Sequence, residues 1–183
     1  MRELPGPSWT ARVAWFVGSG FGCGLSPLAP GSVGSLAAVA ILYLVSAALP
    51  DSRFLWQDTA LAAVLSLLGL PVGIWATGRM STEQHPDPGS ATWDEFVGMW
   101  LTCLFVPVHS LVWLAAAFVV FRAFDVVKPW PCRRLELLPA GWGIMLDDVG
   151  AGIWGALVML SGILIWRLIE PVAPGPLQTL LAY

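Results

Sequence analysis

Four long apolar stretches constrain this chain more than any other feature of its sequence. They run from about Val33 to Leu49, Thr59 to Thr77, Phe96 to Phe121 and Val149 to Ile169. A helix that crosses a bilayer needs about 20 largely apolar residues. Because 57% of the 183 residues are hydrophobic and only 11% are charged, a soluble fold would lack the polar side chains to cover its surface. The sequence predicts one all-α, polytopic membrane domain over residues 1–183.

The basic residues indicate which segments share one side of the membrane, because cytoplasmic segments are enriched in Lys and Arg. Only Arg53 and Arg167 fall outside the N-terminal segment and the two long polar segments, 79–95 and 122–148. We therefore predict that these three segments are cytoplasmic and that 50–58 and the C-terminus lie on the opposite side. The basic residues of the three segments are Arg2, Arg12, Arg79, Arg122, Lys128, Arg133 and Arg134.

The third apolar stretch is then expected to re-enter the membrane rather than cross it, because both of its flanks are predicted on one side. Residues 107–110 interrupt it, and each half would form about 16 Å of helix at about 1.5 Å per residue, half a bilayer. We expect a compact helical bundle with about three full spans plus a re-entrant helical hairpin. A single tilted crossing is the alternative, and it would separate the two charged segments.

Acidic residues lie at the ends of the apolar segments. A Mg²⁺ ion commonly takes one or two carboxylates together with phosphate oxygens and water. Carboxylates gathered at one membrane face could therefore hold such an ion, and the hairpin would bring the second and third polar segments together. The candidate ligands are Asp94, Glu95, Asp125, Asp147 and Asp148.

Each acidic group also has a purely structural interpretation. Thr92 and Glu95 have the spacing of a capping box at a helix N-terminus. Asp147 and Asp148 could open the last helix, where the macrodipole favours negative charge. Asp125 could pair with Arg122 or Lys128, three residues away. The residues alone leave both interpretations open.

Two further segments could bind phosphate. Lys128 lies in Lys-Pro-Trp-Pro, where the prolines stiffen the backbone and present an ammonium group; attraction to anionic lipid headgroups is the alternative. Arg122 or Arg134 could hold other phosphate oxygens. Gly31 and Ser32 belong to a glycine-rich segment that enters a helix, where backbone N–H groups can bind an anion; close packing of small residues is the alternative there.

Four segments occur in this order along the chain: Gly24–Leu36, Trp93–Gly98, Phe121–Pro131 and Gly143–Gly152. Taken together they resemble the bacterial phosphatidylglycerophosphatase A family. The resemblance covers roughly residues 12–168. In the first segment Ser32 stands where relatives often carry threonine, and before Ser90 the chain has Pro88 where many relatives have histidine.

The resemblance implies a magnesium-dependent, all-helical enzyme of the bacterial inner membrane, with its active site facing the cytoplasm. Such an enzyme removes the terminal phosphate of phosphatidylglycerophosphate in the bilayer, giving phosphatidylglycerol and inorganic phosphate. By position, the acidic pairs of the family fall on Asp94, Glu95, Asp147 and Asp148, and its Asp-x-x-Lys-Pro motif falls on Asp125, Lys128 and Pro129.

On this basis we assign the following roles as a hypothesis. Mg²⁺ would be held by Asp94, Asp125, Asp147 and Asp148, and Glu95 would orient or deprotonate the attacking water. The phosphate would be held by Lys128 with Arg122 or Arg134, next to Gly31 and Ser32.

Two other functions remain open at this point. The chain could be a small transporter or channel subunit whose acids line an ion path, or a lipid phosphatase for another phosphomonoester headgroup. The acids lie at segment ends rather than at mid-depth, which favours an interfacial enzyme. The net charge of −3 and the lack of a basic patch exclude nucleic acid as a partner.

Overall fold

The computed structural model of the chain describes residues 8–49, 55–82 and 88–169. These residues form α-helices and one short 3-10 turn, with no strand among them, so the predicted all-α fold is confirmed. The predicted outer segment 50–58 and the C-terminal segment lie largely outside the described residues. The helices are α1 (Trp9–Gly18), α2 (Pro30–Ala48), α3 (Leu55–Met80), α4 (Trp93–Thr102), α5 (Leu111–Val127), α6 (Cys132–Leu135) and α7 (Gly141–Ile169).

Three of the described helices are long and apolar enough to cross a membrane: α2, residues 56–80 of α3, and α7. They correspond to the first, second and fourth apolar stretches. α2 begins at Pro30, where the missing N–H costs nothing in a first helical turn. α7 begins at Gly141, not near Val149 as predicted, because the acidic pair Asp147 and Asp148 interrupts the apolar run without ending the helix. Asp147 and Asp148 therefore lie inside α7 and do not open it.

The third apolar stretch forms a helical hairpin made of α4 and α5. Glu95 near the start of α4 lies close to Arg122 near the end of α5, so the two helices run in opposite directions. The halves are unequal, with 10 residues in α4 and 17 in α5, because α5 continues past Phe121 to Val127. The predicted polar segment from Arg122 is thus helical at its start. α5 ends at Val127, and its C-cap residue Lys128 directly precedes Pro129.

The tip of the hairpin is held by buried polar groups from the two preceding helices. Asp58 of α3, only 4% exposed, accepts hydrogen bonds from the Ser46 hydroxyl at 2.6 Å and from the Val108 backbone N–H at 3.2 Å. His109 Nε2 lies 3.2 Å from the same hydroxyl. Non-helical backbone at membrane depth must be satisfied by protein groups, and this network satisfies it.

α4 lies at the centre of the bundle, with α2, α3, α5 and α7 packed around it. Its buried aromatic side chains also carry polar links to the neighbouring helices. The indole N–H of Trp93 donates to the Gly69 carbonyl at 2.9 Å, and that of Trp100 donates to the Ala38 carbonyl at 3.0 Å. Because buried N–H groups need partners, these bonds fix the rotation of α4 between α3 and α2.

Small residues bring α4 and α7 into backbone contact. A Cβ atom on Gly152 would lie 2.5 Å from the Gly98 carbonyl oxygen, and one on Gly98 would lie 2.8 Å from the Asp148 carbonyl oxygen. Both distances are shorter than van der Waals contact allows, so the helices could not approach this closely with any larger residue. Close packing of this kind is typical of helices inside membranes.

We predict that Gly152→Ala destabilises the protein by about 1–3 kcal/mol, because the added methyl must push α4 and α7 apart. Thermal unfolding in detergent micelles measures the effect. Gly162→Ala in the same helix is the matched control, since its Cβ would meet only Trp113 at an ordinary 3.8 Å. The control is expected to keep or raise the unfolding temperature, because alanine favours helix over glycine. Equal unfolding temperatures for both variants would contradict the role of this contact.

Candidate active site

Three carboxylates from distant parts of the chain meet at one end of the bundle. Oxygen atoms of Asp94, Glu95 and Asp148 all lie within 4.8 Å of one another. The first two lie in the first turn of α4, and Asp148 lies two turns inside α7. The glycine contact between α4 and α7 places these turns side by side, since Gly98 touches the carbonyl of Asp148 itself. The structure therefore brings together two of the three predicted acidic segments directly.

Asp125, the third predicted acidic segment, joins this group through Arg122. The Arg122 guanidinium lies 2.7 Å from the Asp125 carboxylate and 3.8 Å from that of Glu95. The ion pair that we considered for Asp125 on structural grounds is thus formed. Because Arg122 touches both acids, the pair also forms one wall of the carboxylate cluster.

Lys128 and Asp147 form a second ion pair beside the cluster. The Lys128 ammonium donates to Asp147 at 2.7 Å and lies 2.9 Å from Glu136. Burial alone would lower the pKa of Lys128, but its hydrogen bonds to Asp147 and Glu136 outweigh this and raise the pKa. Lys128 therefore stays protonated, and Asp147 faces it rather than the three clustered carboxylates.

The capping-box interpretation of Thr92 and Glu95 does not describe this structure. Thr92 is the N-cap residue of α4, but its side chain caps no backbone N–H. Its hydroxyl is buried without a hydrogen-bond partner among the described residues. Glu95 points toward Arg122 and Asp148 instead of back to the helix start. The acidic turn thus has an arrangement that helix capping does not explain.

Electrostatics make the cluster costly unless it has a further partner. Burial raises the pKa of the Glu95 carboxyl well above its usual value, and the charge of Asp94, a hydrogen bond that the protonated Glu95 donates to Asp94 and the charge of Asp125 raise it further. Arg122 acts in the opposite direction but does not cancel these effects. In addition, Glu95 Oε2 is buried and has no hydrogen-bond partner among the described residues. Carboxylates crowded in this way repel one another in a medium of low dielectric.

These observations fit a hard divalent cation. Carboxylate oxygens are the ligands that Mg²⁺ prefers, and the buried, unpartnered Glu95 oxygen could serve as one of them. The nearby cations Arg122 and Lys128 are each engaged with another acid at 2.7 Å. The clustered residues Asp94, Glu95 and Asp148 therefore form a site whose charge a divalent ion would balance.

The glycine-rich segment contributes to the site by close packing. A Cβ on Gly31 would overlap the Glu95 carboxylate and lie 2.9 Å from Arg122 Nη1. The first turn of α2 thus lies directly against the acidic turn of α4, which places the positive end of the α2 dipole beside Glu95. Ser32 follows in the same turn and is half-buried. The packing interpretation of Gly31 is confirmed, and phosphate binding by Gly31 and Ser32 stays a prediction.

A cavity of about 400 Å³ adjoins Lys128 on the side of α6. Arg133 and Arg134 line it, and both side chains are exposed. Arg133 donates to the Val127 carbonyl at 3.1 Å, which ties it to the end of α5. Arg134 has no ion pair among the described residues, so it is available to an anion that enters this cavity.

Comparison with known proteins identifies the family. The sequence model of phosphatidylglycerophosphatase A matches residues 16–178. The chain belongs to this family. It is 41% identical over 142 residues to phosphatidylglycerophosphatase A of Escherichia coli (strain K12), covering 76% of this chain and 77% of that one. The recognition made from the sequence motifs is thus confirmed.

Two other relatives are similar over most of their length. The Haemophilus influenzae phosphatidylglycerophosphatase A is 39% identical over 143 residues, covering 78% of this chain and 83% of that one. A Bacteroides thetaiotaomicron protein named "Putative phosphatidylinositol-3-phosphatase" is 37% identical over 145 residues, covering 78% and 89%. No solved structure matches the chain. Membership in the phosphatidylglycerophosphatase A family supports a lipid phosphatase that hydrolyses phosphatidylglycerophosphate.

The sequence analysis of this family member missed two residues. Glu136 forms an ion pair with Lys128, which also binds Asp147. The two residues do not lie in one helix, so helical spacing does not predict their contact; the turn at Pro129–Pro131 brings Glu136 back toward Lys128. Thr92 was interpreted only as a helix cap, yet its Cβ and its carbonyl oxygen lie beside Gly34, which also approaches Glu95. Its position two residues before Asp94 was the available signal.

We predict that Arg122→Leu destabilises the protein by about 1–3 kcal/mol, because it leaves Asp125 and Glu95 without their shared cation in a partly buried site. The double variant Arg122→Leu/Asp125→Leu is expected to recover part of this loss, which a double-mutant cycle of unfolding free energies measures. Arg133→Leu is the control, since Arg133 is exposed and contacts no acid in the described structure. If the changes in unfolding free energy caused by Arg122→Leu and by Asp125→Leu simply added in the double variant, the coupling between these residues would be contradicted.

Proposed function

We propose that this protein hydrolyses the terminal phosphate monoester of phosphatidylglycerophosphate in a magnesium-dependent reaction at the cytoplasmic face of the bacterial inner membrane. The observation that carries the proposal is the carboxylate cluster of Asp94, Glu95 and Asp148, with oxygens within 4.8 Å of one another. It lies in a chain of the phosphatidylglycerophosphatase A family, at the end of helices suited to a membrane. The products would be phosphatidylglycerol and inorganic phosphate.

Asp94 and Asp148 are our primary candidates for Mg²⁺ ligands, with Glu95 close enough to share the ion. A bound Mg²⁺ would supply a Lewis acid for the phosphate oxygens. Asp125 and Asp147 were also predicted as ligands, but each is paired with a cation at 2.7 Å. We therefore propose that these two residues orient Arg122 and Lys128 and complete the ligand set only if those pairs open.

Glu95 is the proposed general base. It would accept a proton from the attacking water as the water oxygen bonds to phosphorus. The bond between phosphorus and the glycerol oxygen then breaks, and the leaving oxygen takes up a proton from solvent. Arg122 touches Glu95 and would hold the carboxylate in position during this exchange.

Phosphate oxygens would be bound by the cations around the cluster. Lys128 is bound to Asp147, which precedes Asp148 in the chain. Lys128 also lines the cavity that Arg134 lines. A fixed ammonium beside a developing negative charge stabilises the transition state. Arg134 would reach a phosphate from the cavity side, and the first turn of α2 with Gly31 and Ser32 would approach from the opposite side.

The cytoplasmic orientation is supported by the distribution of charge along the bundle. Arg122, Lys128, Arg133 and Arg134 all lie at the end that carries the carboxylate cluster. The opposite end carries the neutral hairpin tip, the buried acid Asp58 and, in the last turn of α7, the basic residue Arg167. By the positive-inside tendency, the end with the cluster faces the cytoplasm.

A lipid phosphatase for another phosphomonoester headgroup is the second candidate function. The relative from Bacteroides thetaiotaomicron, named for a different headgroup, is 37% identical to this chain. A transporter or channel subunit is less consistent with the acids, which are gathered at one end of the bundle and tied to Arg122 and Lys128.

We predict that purified protein releases phosphate from phosphatidylglycerophosphate with Mg²⁺ and stops when EDTA is added. Glu95→Gln and Asp148→Asn are each expected to lower kcat at least about 100-fold, because they remove a base or a metal ligand. Binding of Mn²⁺, followed by electron paramagnetic resonance, is expected to weaken in Asp148→Asn.

The matched control for these variants is Asp58→Asn, which alters a buried acid at the opposite end of the bundle. It is expected to retain the wild-type kcat. Full activity in a folded Asp148→Asn variant would contradict the metal assignment. Faster phosphate release from phosphatidylinositol 3-phosphate than from phosphatidylglycerophosphate would favour the second candidate function.

We predict opposite labelling of two introduced cysteines in a variant whose three native cysteines are replaced by alanine. Leu137→Cys, at a position 82% exposed beside the cluster, is expected to react with an impermeant maleimide only after cells are permeabilised. Arg53→Cys, in the segment predicted on the opposite side, is expected to react in intact cells. The reverse pattern would contradict the cytoplasmic site.

A further inference from the structure

A groove with apolar walls runs between α3, α4 and α7 and encloses about 340 Å³. The centrally placed α4 forms its floor, where Val97 is 1% exposed. The outer helices form its rims, where Leu67 of α3 is 72% exposed and Ile153 of α7 is 51% exposed. The groove is therefore open along the outer side of the bundle, with its remaining lining from Ala63, Ser66, Leu70, Leu101, Leu104 and Val149.

The lining offers almost no group for a polar ligand. Its one hydroxyl, on Ser66, donates to the Ala62 carbonyl of its own helix at 2.8 Å. The other lining side chains are aliphatic. A ligand that fits this surface without leaving polar groups unsatisfied is a hydrocarbon chain.

The groove begins next to the carboxylate cluster. Asp94 is followed on the same side of α4 by Val97 and Leu101, one and two turns further on. On α7, Val149 directly follows Asp148. Within α4, Val97 and Leu101 lie one turn apart, about 6 Å along the helix axis, and Leu104 continues the lining past the end of the helix at Thr102. The groove thus leads from the acidic end of the bundle toward the hairpin tip.

We propose that this groove binds one acyl chain of the lipid substrate while the phosphate monoester lies at the carboxylate cluster. This inference rests on the proposed function and adds the place in the fold that binds the hydrocarbon part of the substrate. A helix of a second copy, about 10 Å wide with its side chains, would not fit between the rims at this volume. Contacts to the chain would orient the headgroup, since binding remote parts of a substrate positions the reacting part.

Filling the groove tests the inference. Ala63→Trp places an indole in the groove, and Ala60→Trp is the matched control, an exposed alanine one turn away on the same helix that does not line it. Ala63→Trp is expected to raise KM for dioleoyl phosphatidylglycerophosphate about tenfold, because methylene contacts are lost. KM for the dihexanoyl analogue, whose chains are too short to occupy the groove, is expected to stay unchanged. An unchanged KM for the dioleoyl substrate would overturn the inference.

A second measurement uses the unmodified protein, so it does not depend on the folding of a variant. Phosphatidylglycerol with a diazirine in its acyl chain is expected to form adducts at Leu67, Leu101 and Ile153, and excess dioleoyl phosphatidylglycerophosphate is expected to suppress them. A bulk bilayer lipid would give adducts that excess substrate leaves unchanged, and a second copy of the chain would leave Leu67 unlabelled. Either result overturns the inference. The labelling test stays decisive even if Ala63→Trp lowers activity on both substrates.

The two proposals fail in different ways. If the proposed function is wrong, the wild-type protein releases no phosphate from either phosphatidylglycerophosphate. If only the groove inference is wrong, the wild-type protein releases phosphate from both, and neither Ala63→Trp nor the adduct pattern distinguishes the groove from the rest of the apolar surface.

Discussion

The close approach of α4 and α7 at Gly98 and Gly152 is the contact on which the rest of the structure depends. It places the first turn of α4 beside the second turn of α7, so that the carboxylates of both helices occupy one small volume. A bundle held apart by larger side chains at these positions would keep the acids too far apart to share an ion. Steric contact between two backbones thus sets the electrostatics of the site.

Those electrostatics are organised in two layers. The inner layer consists of the crowded carboxylates of Asp94, Glu95 and Asp148. The neighbouring cations do not balance the negative charge of these three groups. In the outer layer, Arg122 pairs with Asp125 and Lys128 pairs with Asp147. Arg122 lies closer to Asp125, at 2.7 Å, than to Glu95, at 3.8 Å, and Lys128 is bound to Asp147, so the outer acids take up most of the charge of both cations. This separation preserves both a place for a divalent ion and ordered cations for phosphate.

Much of the fold and of the site could be predicted from the sequence, because apolar length and charge placement follow directly from the cost of burying polar groups in lipid. The three spans, the hairpin and the grouping of the acids were of this kind. Helix ends were less accessible: α5 runs on to Val127 and α7 begins at Gly141, where packing rather than hydropathy decides. The division of the acids into inner and outer layers was also hidden, since it depends on which carboxylate each cation reaches. Glu136 could not be linked to Lys128 without the turn between them.

The polar network at the hairpin tip has a consequence for biosynthesis. Ser46 and Asp58, which bind the backbone and the side chain of the tip, precede Val108 and His109 in the chain. The anchor for the tip is therefore translated before the tip itself. A hairpin that emerges from the ribosome after α2 and α3 finds its hydrogen-bond partners already in the nascent protein, and it need not wait at the lipid surface for later segments.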